Sequence, residues 1–159
     1  MRNLASVMVL SVALASLTGC APTSPYGNFV KEPVAGLDQN KIANDTLQQL
    51  VTLYSPARTQ FELQQPTTDP YGHALVENLR AKGYAIQEFN SGGKAVKGKK
   101  APRRGSARTA SLPLCYIFDQ TVGMDLYRIT VMVGDQSVTR LYVPQDGTTV
   151  PAGYWVRKE

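Results

Sequence analysis

The residue best placed for a defined reaction is Cys20. It closes Leu17-Thr18-Gly19-Cys20: an aliphatic residue, two small residues and a cysteine, the order of a bacterial lipobox. In that order the sulfur is the atom that receives diacylglycerol, and the small residues before it fit the peptidase that cuts on its N-terminal side. Upstream, Arg2 supplies a charged n-region, and residues 4–17 are apolar or small and uncharged. That stretch is shorter than the roughly 20 residues a spanning helix needs, so residues 1–19 read as a lipoprotein signal peptide. The other reading is an ordinary cleaved signal in which Cys20 is incidental. Acyl chains contribute about 0.8 kcal/mol per buried methylene, and more than one chain gives stable anchoring. Ala21 occupies the position where an aspartate would direct retention in the inner membrane of many Gram-negative bacteria. The expected place is the outer membrane, lipid-anchored and facing the periplasm.

The remaining candidates for chemistry do not assemble. His73 is the one histidine, and no serine or cysteine motif marks a nucleophile for it to activate. Glu62, Glu77, Glu88, Asp119, Asp125, Asp135 and Asp146 lack metal-ligand spacing. Gly92-Gly93-Lys94 lacks the spacing and the following Ser or Thr of a P-loop. The expectation is a protein that is not an enzyme, with no cofactor, no metal and no small-molecule substrate. Cys115 is the leftover thiol, read as a small buried side chain in an apolar strand or as a disulfide to a partner.

Charge is concentrated. The chain has 17 Lys and Arg against 12 Asp and Glu, a net +5. Lys94, Lys97, Lys99, Lys100, Arg103, Arg104 and Arg108 all fall in residues 90–111, which contain no acid. With little to bury, this segment reads as a mobile basic loop. It suits solvation, or attraction to anionic lipid or to an acidic partner. Phosphate contact needs only positive charge, but with no aromatic residue to stack on bases, direct nucleic-acid contact is disfavoured.

The elements that must position these residues follow from local signals. Prolines 22, 25 and 33 with glycines 27 and 36 make residues 20–37 a lipidated tether. Within it, Tyr26, Phe29 and Val30 are unusually apolar: either aromatics that pack on the domain, or a segment that adds a strand to a partner. Residues 38–159 read as one α+β domain, two helices packed on a mainly antiparallel sheet. Ala43, Leu47, Leu50, Val51 and Tyr54 set a first helix capped by Asp38 or Asn40 and ended by Ser55-Pro56. Asp69-Pro70 starts a second, with Gly83 to close it. Strands are expected over residues 60–64, 84–89, 114–118, 126–133 and 137–143, the last two joined at Gly134-Asp135. Tyr127, Ile129, Val131, Val133, Val138 and Tyr142 then share one face. Arg128, Thr130, Met132, Ser137, Thr139 and Leu141 share the other. Pro144 is expected to stop the sheet. Tyr142, Tyr154 and Trp155 read as a surface interface, or as part of a closing C-terminal strand.

The order of motifs carries a family resemblance. After the lipobox come Tyr26-Gly27-Asn28-Phe29, a helix with Leu47, Leu50 and Tyr54-Ser55-Pro56-Ala57, then Tyr71-Gly72-His73-Ala74-Leu75 and Leu79-Arg80-Ala81-Lys82-Gly83-Tyr84. Leu126-Tyr127-Arg128-Ile129-Thr130-Val131, Tyr142-Val143-Pro144-Gln145 and Pro151-Ala152-Gly153-Tyr154-Trp155 complete the series. In this order the chain resembles TrbH, the small lipoproteins of plasmid conjugal transfer systems, with the basic segment as a variable insertion. The resemblance implies a subunit of the mating-pair-formation apparatus, a type IV secretion system, whose partners are other pore subunits. It brings no catalytic residues; its one residue-level implication is lipidation of Cys20. A free-standing envelope lipoprotein that binds a ligand or the cell wall is the second reading, and a DNA-contacting factor the third.

Overall fold

A computed structural model describes residues 24–31, 33–90 and 110–159 of the chain. One mixed sheet of eight strands, with two helices on one face, has six of them in the order β3 (Ala85–Gln87), β2 (Thr59–Leu63), β4 (Ala110–Gln120), β5 (Tyr127–Val133), β6 (Gln136–Gln145) and β7 (Thr148–Pro151). The other two of the eight lie off this order: β1 (Gly27–Asn28) runs beside β4, and β8 (Val156–Lys158) beside β6.

Helix α1 spans Gln39–Leu53. Asp38 caps it, its carboxylate accepting from the Lys41 N–H at 3.0 Å, which satisfies one of the orphan donors of a helix start. Ile42, Ala43, Leu47 and Leu50 recur at helical spacing and are buried. A 3-10 turn at Pro56–Arg58 leads into β2 (Thr59–Leu63), whose alternating burial puts Phe61 and Leu63 in the core. Helix α2 (Pro70–Ala81) starts where a capping carboxylate meets a proline, since proline at the first helical position has no N–H to leave unpaired. Tyr71, Leu75 and Leu79 face inward, and Gly83, at φ 93°, turns the chain toward β3 (Ala85–Gln87). Thus β2, α2 and β3 form a parallel unit beside β4.

The second half is antiparallel. β4 (Ala110–Gln120), β5 (Tyr127–Val133) and β6 (Gln136–Gln145) pair in sequence. The β5–β6 turn is Gly134-Asp135, and the register pairs Val131 with Val138 and Tyr127 with Tyr142. The two faces are those expected from the sequence: Tyr127, Ile129, Val131, Val133, Val138 and Tyr142 are all buried.

Two expectations are corrected. Pro144 does not stop the sheet. β6 runs on to Gln145, turns at Asp146-Gly147 (φ 50° and 74°) and returns as β7 (Thr148–Pro151). Beyond Tyr142 strand β6 no longer has β5 beside it, so that flank demands no ladder bond of the proline. Tyr142 is also no surface aromatic; it is 2% exposed, beneath α1.

Candidate interaction surface

Asp69 joins three elements. Its Oδ1 accepts from the Gly72 N–H at 2.9 Å, capping α2, and from Asn28 Nδ2 at 3.3 Å; its Oδ2 accepts from the Tyr116 hydroxyl. Asn28 Nδ2 also donates to Gln39 Oε1 at 2.9 Å, and Asn28 Oδ1 accepts from the Val30 N–H. One side chain therefore fastens β1 to the N-terminal ends of both helices. The Tyr116 ring packs edge-on to Tyr71, centroids 5.0 Å apart, and Tyr71 donates to Thr46 Oγ1 at 3.0 Å. Burial first, and the neighbouring carboxylates further, hold both phenols well above the ordinary tyrosine range, so both stay protonated.

Gly72 makes this arrangement possible. A Cβ there would stand 2.0 Å from the Tyr116 hydroxyl. An alanine normally gains roughly 1 kcal/mol over glycine inside a helix. Here Gly72→Ala is expected to cost about 3 kcal/mol, from overpacking and the displaced phenol. Urea unfolding checks it; a variant as stable as wild type would contradict the packing.

Asp45 on α1 is the second junction. It accepts from Arg140 at 2.8 Å and from the Tyr142 hydroxyl. Arg140 also donates to the Gly153 carbonyl at 2.8 Å and lies 5.8 Å from the centre of the Trp155 ring, fastening the C-terminal segment to the helix layer. Thr149 holds residues 36–38 against β7: its hydroxyl donates to Gly36 O and accepts from the Asp38 N–H.

The segment read as a partner-docking element lies on this chain's own sheet. Gly27 and Asn28 pair in parallel with Ile117 and Phe118. Val30 is 9% exposed within the core, Phe29 is 50% exposed, and Tyr26 is half-buried. Over residues 24–31 and 33–37 the expected tether is therefore laid against the domain, because Asn28, Val30 and Gly36 each have partners there. Cys20 and the basic residues Lys94, Lys97, Lys99, Lys100, Arg103, Arg104 and Arg108 lie outside the described residues.

Cys115 sits on the sheet face away from the helices, between Leu114 and Tyr116, which point into the core. It is a free thiol, 8% exposed, against the Tyr26 hydroxyl. Burial pushes its pKa up more than that hydrogen bond lowers it, so the thiolate needed for reaction is scarce. His73 is exposed on α2, its Nδ1 3.6 Å from Glu77. It borders an open hollow of about 390 Å³ with Gln65, Thr67, Arg80 and Glu88, in which Arg80 and Glu88 pair with each other. Among the described residues no group of three His, Cys, Asp or Glu side chains could hold a metal ion. No helix among them is long and apolar enough to cross a membrane.

What the described residues do present is an uncovered sheet face. Ile117, Asp119, Arg128, Thr130, Met132, Thr139, Leu141 and Val143 lie on it, all half-buried. Arg128 and Asp119 pair there at 2.6 and 3.0 Å, and Thr130 and Thr139 at 3.1 Å. Val122, Met124, Tyr154 and Val156 at its rim are 99%, 61%, 92% and 65% exposed. Residues 23–159 match the family described as conjugal transfer protein TrbH. The chain belongs to the TrbH family. No curated protein and no solved structure matches it. Membership in TrbH makes this a conjugal transfer protein associated with a transfer apparatus, and its fold is α+β. The family is a structural or accessory component of conjugal transfer, so an interaction surface is the site to seek in it.

Proposed function

We propose that this TrbH protein is a non-enzymatic lipoprotein of the outer membrane, facing the periplasm, that supports assembly of a conjugative type IV secretion apparatus for plasmid DNA transfer. The family match over residues 23–159 carries the reading. The lipobox ending at Cys20 supplies the address and the anchor. The α+β domain binds neighbouring pore subunits, and the acyl group holds it where they assemble. The basic residues Lys94 to Arg108 add attraction to anionic lipid or to an acidic subunit, at about 1 kcal/mol per residue near a charged surface.

Two measurements on cells carrying the plasmid test this reading. Labelled palmitate should enter the wild-type protein and not Cys20→Ser, and the labelled protein should fractionate with the outer membrane. Gentle detergent extraction should then recover it in a large complex with other transfer subunits. A monomeric, unlabelled protein in the soluble fraction would contradict both the anchor and the assembly role.

A further inference from the structure

The path of the chain into the domain fixes which side can meet a membrane. Asn28 points to the helix face, where it meets Gln39 and Asp69, whereas Tyr26, two residues earlier, lies against Cys115 on the opposite, uncovered face. Strand alternation would put both on one face. Gly27, at φ 146°, breaks that alternation, so the chain crosses the sheet edge there. The first described residue, Ser24, whose Oγ accepts from the Tyr26 N–H, stands before that crossing.

Four residue steps separate Cys20 from Ser24, and they span at most about 14 Å. Crossing the lipid headgroup layer takes up about 5–7 Å of this. A domain of about 120 residues is roughly 35 Å across. An acylated Cys20 therefore keeps Ser24 within about 10 Å of the headgroup surface, much less than the width of the domain.

The surface beside that entry has interfacial chemistry. Val122 and Met124 project from the β4–β5 turn. Tyr154 and Val156 border a hollow of about 370 Å³ that they share with Arg128, Thr139 and Leu141. Exposed aliphatic side chains can enter the headgroup and acyl boundary, and tyrosine favours that depth. Lys158, exposed on β8 opposite Ser137, suits lipid phosphate.

We propose that the uncovered sheet face, with Val122, Met124, Tyr154 and Val156 at its rim, lies against the lipid bilayer surface, leaving the helix face turned toward the periplasm and its protein partners. This rests on the lipidation of Cys20 proposed above. The acylated full chain in phosphatidylethanolamine–phosphatidylglycerol vesicles tests it, with brominated acyl chains as quencher. Trp155 is the one tryptophan of the chain, so Trp155→Phe gives a silent background. Val122→Trp and Tyr154→Trp then report on the sheet face and Gln48→Trp on α1, all at exposed positions, with circular dichroism to verify folding. The first two reporters should lose roughly half their emission on brominated vesicles, the depth expected of an interfacial contact, while Gln48→Trp loses almost none. Equal quenching at all three, stronger quenching at Gln48→Trp, or unquenched reporters on protein that floats with the vesicles would overturn the orientation and leave the anchor standing. Protein that does not float would remove the anchor, and the orientation with it.

Discussion

Raising the pH beyond 10 is expected to unfold the domain steeply, with about 4 kcal/mol of stability lost for each further pH unit. Tyr71, Tyr116 and Tyr142 are 0–2% exposed, and burial raises all three well above the ordinary value of 10.0. Above pH 10 the unfolded chain releases these three protons and the folded chain keeps them. The unfolded state then binds fewer protons, so stability falls as pH rises; below pH 10 both states are protonated and the contribution is flat. A domain of ordinary stability, about 5–15 kcal/mol, would be exhausted within a few units. Urea unfolding at pH 8, 10 and 11 measures the slope. Tyr116→Phe should reduce it by about a third. Unchanged stability from pH 8 to 11 would mean that the phenols ionise in the folded protein and are not buried as described.

Asp69→Ala is expected to cost about 3 kcal/mol, roughly 10–15 °C in melting temperature for a domain of this size. Loss of the α2 cap accounts for about 1 kcal/mol. About 2 kcal/mol more comes from leaving the buried Tyr116 hydroxyl without its acceptor. The Asn28 contact goes too, so β1 should become the easiest segment to cleave by limited proteolysis. Because Asp69 and Tyr116 share one hydrogen bond, Asp69→Ala combined with Tyr116→Phe should cost less than the two changes summed. Strict additivity, or a loss below about 1 kcal/mol, would show that the junction contributes little.

Features set by neighbouring residues were legible in the sequence. Asp69-Pro70 marks α2 to the residue, because cap and proline act within one turn. Gly134-Asp135 and the alternation around it give the β5–β6 register and both faces. Features that depend on distant partners were not legible. β1 is two residues long, with no pattern of its own, and is held by Asn28 reaching Gln39 and Asp69, 11 and 41 positions away. β4 begins at Ala110, ahead of its apolar run, because β2 offers a parallel edge from Thr59 onward. β7 had a local signal in Asp146-Gly147, a turn pair suited to positive φ, overridden by reading Pro144 as a stop. At the interaction surface, the alternation told which residues avoid the core. That Tyr26 crosses to their side depends on Gly27 at a sheet edge visible only in three dimensions.

The role proposed for this TrbH protein is that of a lipid-anchored part of the transfer apparatus. Plasmid transfer frequency tests it most directly, in a donor lacking the gene and complemented with wild type or with Cys20→Ser. Transfer should collapse without the gene and return only with the acylated protein. Transfer undiminished by the deletion would contradict the account.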